Sequence, residues 1–238
     1  MSIFDRTERL VGPEGLERLR SARVVLFGTG GVGSWCAEAL VRSGVVHLTL
    51  VDPDVVELSN VNRQLMATTR TVGRPKVEVL RERLLEINPL SCIEARQERY
   101  RAGSGFPFQE YDYIIDAIDS LTDKMHLLLE ASAAPGVLFS SMGSACKVDP
   151  QKVQVAEFFD VRGCPLGAAL RKKMRKENTL PAKPFLCVYD QEVLPNRGPA
   201  LDPGPGKAVA NGSLVHITGI FGFTLAGLVI QDRLGTRP

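Results

Sequence analysis

The sequence predicts a doubly wound α/β fold, in which helices cover both faces of a mainly parallel sheet. Three observations favour this fold class. A short β-branched run, ARVVLFG at residues 22–28, is followed by a glycine-rich turn and a helical pattern. A second apolar run, VVHLTLVD at residues 45–52, completes a β-α-β unit whose strands should be parallel. Apolar runs and helical patterns then alternate as far as residue 149.

The elements of residues 21–149 form a Rossmann-like core. Its first helix should start in TGGVGS and end at Gly44, a residue type that commonly stops helices. Pro75 occupies a favoured first-turn position, and Val77, Leu80 and Leu84 recur at helical spacing after it. Beyond these, we expect strands in CIEA, YDYIIDAID and GVLFSS and a helix in SLTDKMHLLLEASAA.

The flanking parts complete a single domain of residues 1–238. Residues 1–20 form an N-terminal arm, whose surface helix is interrupted by GPEG. Residues 150–238 form an extension with a strand in KVQVAEF, a basic helix in GAALRKKMRKE and a Pro- and Gly-rich loop at 181–206. Loops of that length in a compact domain usually carry function or are disordered.

Composition is that of a soluble, globular protein. The 238 residues are 44% apolar and 24% charged, and the formal charge of +2 excludes a pervasively basic, nucleic-acid-coating protein. Five scattered cysteines without a C-x-x-C pair favour a reducing compartment and argue against structural zinc. The charged start MSIFDRTERL lacks the apolar stretch of a signal peptide, so a cytoplasmic location is expected.

One segment, residues 214–230, is nearly all apolar and close to the lower length limit of a membrane span. It contains three glycines and a histidine, and no basic residues flank its N-terminal side. These features favour an apolar C-terminal core helix over a membrane helix, so stable membrane insertion is not expected.

Gly28, Gly30 and Gly33 match G-x-G-x-x-G between a strand and a helix. Such glycines permit a tight turn against a phosphate at the helix N-terminus, although the motif alone can also be a purely structural turn. Asp52 ends the second strand, where an acidic side chain would accept hydrogen bonds from ribose hydroxyls. Up to this point a nicotinamide-dependent oxidoreductase would fit equally well.

Arg63 and Lys76 favour a triphosphate instead. They follow the ribose-binding position together with Asn60 and Gln64, and a dinucleotide's single pyrophosphate needs little of this charge. The alternative is that both cations are solvated loop residues.

Asp119 lies just past the end of a buried strand, at the edge where open α/β sheets bind ligands. A carboxylate that faces phosphates implies Mg²⁺ between them. Asp116, three residues earlier, is interpreted as structural.

The segments GTGGVGS, LVDPDVVELSNVNRQ, VGRPK and DAIDS together resemble the adenylating superfamily that contains the ubiquitin-activating enzymes and the activators of the molybdopterin and thiamine sulfur carriers. The resemblance implies that Arg63 and Lys76 hold the phosphates of ATP and that Asp119 positions Mg²⁺. It also implies a homodimer in which Arg6, in FDRT, reaches the partner's phosphates. The implied nucleotide-binding set is Gly28, Gly30, Gly31, Gly33, Asp52, Asp54, Ser59, Asn60, Arg63, Gln64, Lys76, Asp119 and Ser120.

The chain lacks the paired zinc cysteines of many sulfur-carrier activators. With FDRTERLVGPEGLERL, EINP and VDPQKVQV, it is similar over its whole length to the tRNA threonylcarbamoyladenosine dehydratases. That resemblance implies ATP-dependent cyclisation of the threonylcarbamoyl group on tRNA through carboxylate adenylation, and a sulfur-relay protein is a conceivable partner. The alternatives are an adenylating activator of a ubiquitin-like or sulfur-carrier protein, an oxidoreductase, and an ATP-binding module without turnover.

Two further candidate sites each have two interpretations. Cys187 is a candidate for a transient thioester, as in the ubiquitin-activating relatives, or an ordinary semi-buried thiol. The run RKKMRK is a candidate for contact with the tRNA backbone, or a solvated helix face. Its cations are Arg171, Lys172, Lys173, Arg175 and Lys176.

Overall fold

The computed structural model describes residues 2–199 and 211–236. One seven-stranded sheet runs through it in the order β3-β2-β1-β4-β5-β7-β6. All neighbouring strands pair in parallel except β6, which is antiparallel to β7. The strands are β1 Arg23–Phe27, β2 His47–Val51, β3 Cys92–Arg96, β4 Tyr113–Asp116, β5 Val137–Ser141, β6 Gln154–Glu157 and β7 Leu186–Tyr189.

Helices cover both faces of the sheet, so the predicted fold class is confirmed. One buried cluster packs α2, α3 and α6 against the sheet, and a second lies on the other face beneath α4 and α5. The helices are α1 Asp5–Ser21, α2 Gly33–Ser43, α3 Lys76–Ile87, α4 Leu121–Ala133, α5 Pro165–Lys176 and α6 Val215–Leu234.

Local signals placed most of these elements correctly. Helix α2 ends at Gly44, which has a φ of 116° and so takes the left-handed conformation that favours glycine. Pro75 immediately precedes α3. Helix α1 is kinked at Gly12, whose φ is 74°, as the GPEG interruption predicted.

The predicted loop at 181–206 is wrong in its first part. Leu186–Tyr189 forms β7, which lies inside the sheet between β5 and β6. The strand is only four residues long, and Pro181 and Pro184 precede it, so its local signal is that of a loop. Long-range pairing with β5 and β6 defines it, and residues 200–206 of the predicted loop lie outside the described residues.

The apolar C-terminal segment forms α6, which packs along α2. It is long and apolar enough by composition to cross a membrane, but half of its apolar window is buried within the fold. Gly222 makes the closest approach: a Cβ atom there would lie 2.5 Å from the Val32 carbonyl oxygen and 2.8 Å from the Cys36 nitrogen. The two helices therefore meet backbone to backbone at Gly222, as expected of a core helix.

Gly222→Ala should destabilise the protein, because the added methyl group meets backbone atoms that cannot turn aside. Overpacking of this kind costs about 1–3 kcal/mol. Gly227→Ala on the same helix is a matched control, because a Cβ atom there meets nothing within 4 Å. That control should gain about 0.5–1 kcal/mol from helix propensity. Urea unfolding of both variants measures the difference, and equal midpoints would contradict the close approach.

Candidate active site

The candidate site lies at the carboxyl ends of β1, β2 and β4. Strand β1 pairs in parallel with β2 on one side and with β4 on the other. The chain therefore reverses its direction of winding at β1, and open α/β sheets bind ligands at such a switch point. The glycine turn, Asp52 and Asp119 follow these three strands, as predicted.

The glycine turn is closed by contacts that only glycine permits. Gly28 has a φ of 87°, and a Cβ atom at Gly33 would lie 1.9 Å from the Gly28 carbonyl oxygen. At Gly30 the nearest atom to an added Cβ would be Gln64 Nε2, at 3.8 Å, so the turn is open on that side. Thr29 Oγ1 and Gln64 Oε1 are buried and have no hydrogen-bond partner among the described residues. An open turn with two unpaired polar atoms beside it fits a polar ligand.

Asp52 joins the glycine turn to the next loop. One of its carboxylate oxygens accepts the Thr29 N–H at 2.7 Å, and the other accepts the Asp54 N–H at 2.9 Å. A carboxylate has about four acceptor positions, so two remain for ribose hydroxyls. The Asp54 carboxylate in turn forms an ion pair with the Lys76 ammonium group, with Oδ2 and Nζ 2.8 Å apart. The Lys76 side chain is only 8% exposed. Lys76 is thus linked to the turn through two aspartates.

The segment SNVNRQ folds into a tight turn that presents Arg63. The Asn60 carbonyl accepts the N–H groups of Arg63 and Gln64, and the Asn60 side chain accepts the Glu57 N–H. The Arg63 guanidinium donates to the Ser59 carbonyl at 3.0 Å. Asn60 is therefore committed largely to the backbone, whereas Ser59 is exposed.

Arg63 also lies against the glycine turn. Its Cγ atom is 3.4 Å from the position that a Cβ atom of Gly31 would take. Its carbonyl oxygen accepts the Trp35 indole N–H at 3.1 Å, and Trp35 lies on α2. Two elements distant in sequence thus hold this cation beside the turn.

Asp116 and Asp119 lie in different surroundings. Asp116 is fully buried and pairs with the ammonium group of Lys124 at 2.5 Å. Asp119 is exposed beyond the strand end, and its carboxylate has no partner within the described part of the chain. Ser120 caps the start of α4 and makes no side-chain capping hydrogen bond. A free, exposed carboxylate suits a hard cation such as Mg²⁺.

Cys187 does not suit the thioester role. It is fully buried on β7, paired in register with Ser140 on one side and Ala156 on the other. Burial raises the pKa of its thiol well above the ordinary value, so a thiolate is disfavoured. The prediction that Cys187 forms a thioester is therefore wrong, and Cys187 is a packing residue of the core.

The basic run on α5 is only partly free. Arg171 donates to the Phe158 carbonyl at 2.9 Å and lies over that residue's ring. Lys173 pairs with Glu177 at 2.8 Å. The other three cations of the run, Lys172, Arg175 and Lys176, are exposed. Arg6 is exposed on α1.

Sequence reasoning missed a second buried polar group near this edge. Lys147 donates to the carbonyls of Asp190 and Glu192, which follow β7. Glu192 accepts the ammonium of Lys152 and the N–H groups of Val148 and Asp149, which lowers its pKa to about 2. No local motif marks these residues, because their partners lie at least 40 positions away. They fix the loop after β5 to the loop after β7.

Sequence and structure comparisons identify the relatives of this chain. A family model described as the ThiF family matches residues 4–230. The chain is 44% identical over 239 residues to the tRNA threonylcarbamoyladenosine dehydratase of Bacillus subtilis, covering 97% of this chain and 94% of that protein. A solved structure of E. coli tRNA N6-threonylcarbamoyladenosine dehydratase in complex with ATP superposes with a TM-score of 0.82 at 30% identity, covering 98% of this chain and 93% of that one.

A relative with a different activity matches a smaller part. The sulfur carrier protein adenylyltransferase of Thermus thermophilus is 39% identical over 127 residues, which are 53% of this chain and 46% of that protein.

The burial of Cys187 predicts a labelling pattern. Iodoacetamide at pH 8 should modify exposed Cys92 in the native protein and leave Cys187 unmodified until denaturant is added, because a buried thiol is neither accessible nor ionised. Peptide mapping by mass spectrometry measures both sites in one sample, with Cys92 as the internal control. Labelling of Cys187 at the rate of Cys92 would show that the thiol is reachable.

Proposed function

The chain belongs to the ThiF family, and we propose that it is an ATP-dependent tRNA threonylcarbamoyladenosine dehydratase. One observation carries the assignment: the similarity to enzymes of that name extends over 97% of the chain, including the region after residue 149. The geometry supports it, since Arg63 lies beside an open glycine turn, Lys76 is linked to that turn through two aspartates, and Asp119 is exposed past the end of β4.

The chemistry requires activation of a carboxylate. The threonine carboxylate attacks the α-phosphorus of ATP, pyrophosphate leaves, and an acyl-adenylate forms. The neighbouring carbamoyl group then attacks the activated carbonyl carbon, loses a proton and expels AMP. The tRNA nucleoside thereby loses one water, whose oxygen is retained in AMP. Attack within one substrate needs no enzyme nucleophile, so positioning and charge neutralisation are the enzyme's main contributions.

The nucleotide would lie on the glycine turn. Thr29 Oγ1 and Gln64 Oε1 would gain partners there, and Asp52 would accept ribose hydroxyls with its remaining lone pairs. Arg63 and Lys76 would neutralise the charge that develops on phosphate oxygens during adenylation. Each cation would exchange part of its present intrachain contacts for the ligand.

Mg²⁺ would be held by Asp119 together with phosphate oxygens. Mg²⁺ commonly binds through one or two carboxylates plus substrate phosphates. Asp119 has a free carboxylate at the carboxyl end of β4, where the site lies. The bound ion would offset the repulsion between Asp119 and the phosphates. Ser120 lies beside it at the start of α4.

A homodimer would complete the site. Arg6 is exposed near the start of α1, where it is free to reach the phosphates bound by a partner protomer. The exposed cations of α5 would contact the tRNA backbone, which needs point charges on a surface.

The alternative of a carrier-protein activator is less well supported, because the sulfur carrier protein adenylyltransferase matches only 53% of the chain. It would adenylate the C-terminus of a small protein. Release of pyrophosphate that depends on such a protein, and not on tRNA, would favour it.

The proposed reaction predicts a specific mass change. Incubation with ATP, Mg²⁺ and tRNA that carries threonylcarbamoyladenosine should remove one water from that nucleoside, as measured by mass spectrometry after digestion. Arg63→Ala should lower AMP formation by at least about 100-fold while the fold is retained, because transition-state charge loses a donor.

Arg70→Ala provides the control for that variant. Arg70 is exposed in the same loop, and its substitution should leave the rate unchanged. An unchanged nucleoside mass with ATP-binding protein would refute the proposed function, and a folded Arg63→Ala enzyme with normal turnover would refute the role of Arg63.

The role of α5 predicts a change in salt dependence. Replacing Lys172, Arg175 and Lys176 together with alanine should weaken tRNA binding and reduce the slope of log affinity against log salt by about 2–3, near one per lost phosphate contact. Lys173→Ala should have a smaller effect, because Lys173 is already paired with Glu177. Fluorescence anisotropy at several salt concentrations measures both. Equal slopes for the wild type and the triple variant would place the tRNA elsewhere.

A further inference from the structure

A buried ion pair lies directly beneath the candidate Mg²⁺ position. Asp116 ends β4 and Lys124 lies on α4, and the side chains of both are completely buried. The Lys124 ammonium is 2.5 Å from Asp116 Oδ2, and the Ser140 hydroxyl donates to the same oxygen at 2.6 Å. Neither charge reaches the surface, so neither can contact substrate.

The pair holds the two peptide units on either side of Ile118. Asp116 Oδ1 accepts the Ile118 N–H at 3.1 Å, and the Lys124 ammonium donates to the Ile118 carbonyl at 3.0 Å. Both polar groups of Ile118 are therefore held by the same ion pair. Because a peptide unit is planar, fixing the Ile118 carbonyl also fixes the plane that leads into Asp119.

After Asp119 the next polar restraint is the Ser120 carbonyl, which accepts the Lys124 N–H at 2.9 Å as α4 begins. Ser120 is the capping residue of α4 and makes no side-chain capping hydrogen bond. The Asp119 side chain is exposed and has no partner among the residues that the structure describes. The grip on Ile118 is thus the polar restraint closest to the Asp119 carboxylate.

Stability alone does not account for the pair. Desolvation makes a buried ion pair roughly neutral relative to well-packed apolar residues of similar volume. Unlike an apolar pair, the two charges fix the orientation of the peptide units on either side of Ile118.

We propose that Asp116 and Lys124 are positioning residues that hold the Asp119 carboxylate in the orientation needed to bind Mg²⁺ together with ATP. This inference rests on the proposed function, in which Asp119 and the ATP phosphates share the ion. The pair acts through the backbone of Ile118 and touches neither nucleotide nor metal.

The test compares ATP affinity with and without Mg²⁺. Lys124→Met leaves Asp116 buried and unpaired, and that variant is expected to fold poorly. The double variant Asp116→Asn with Lys124→Met removes both charges, keeps an acceptor for the Ile118 N–H and releases the Ile118 carbonyl. Isothermal titration with ATP in MgCl₂ and in EDTA gives the gain in affinity due to Mg²⁺ for each protein.

The double variant should unfold cooperatively, bind ATP in EDTA like the wild type and lose at least about tenfold of the Mg²⁺-dependent gain, the size of one charge-assisted hydrogen bond. Asp119→Asn should show the same loss. Ser140→Ala should show little, because the Ser140 hydroxyl donates to Asp116 Oδ2, whereas Ile118 is held by Asp116 Oδ1 and Lys124. The double variant's apparent KM for Mg²⁺ in tRNA dehydration should rise, with kcat largely recovered at high Mg²⁺.

A folded double variant with the wild-type gain would overturn the inference. The same conclusion would follow if the wild-type protein bound ATP with equal affinity in MgCl₂ and in EDTA. If the wild type binds ATP with a Mg²⁺-dependent gain but leaves tRNA unchanged, the proposed function fails while the positioning role is still tested by the titrations.

Discussion

Parallel pairing of β1 with both β2 and β4 is the constraint on which the site depends. It brings three strand ends to one edge and reverses the winding of the chain there. The turn from Gly28 to Gly33 follows β1 at this point, and a side chain at Gly33 would clash with the Gly28 carbonyl oxygen. Asp52 is bonded to that turn, Arg63 lies against it, and Lys76 is linked to it through Asp54 and Asp52.

Three carboxylates at this edge lie in three different surroundings, and the surroundings decide what each can do. Asp52 is nearly buried and spends two acceptor positions on backbone N–H groups, so it joins loops and keeps capacity for hydroxyls. Asp116 is buried against Lys124 and orients a peptide. Asp119, three residues further on, is exposed and free to meet a cation. The same functional group thus joins two loops at Asp52 and is paired in the core at Asp116, and at Asp119 it is left for the cation of the proposed function.

Much of the fold was predictable, because local signals and periodicity agree over the first 149 residues. Gly44 and Pro75 mark helix boundaries, and the strands before the glycine turn and before Asp119 are apolar runs. Strand β7 was missed because it is short and follows two prolines, and its identity comes from neighbours more than 25 residues away. The glycine turn and Asp119 each lie next to a strong local signal, so the sequence located both. Strand β7 has no such signal.

The sequence by itself determined where the chain can turn, which strand ends carry acidic groups and which family the motifs belong to. These properties depend on residue type and spacing along the chain, so they can be predicted without knowledge of tertiary contacts. Only the tertiary structure decided that Cys187 is a core thiol, that Lys124 is a buried partner of Asp116, and that Arg63 lies beside Gly31. The physical reason is that burial and pairing are set by residues from distant segments, whose approach no local pattern records.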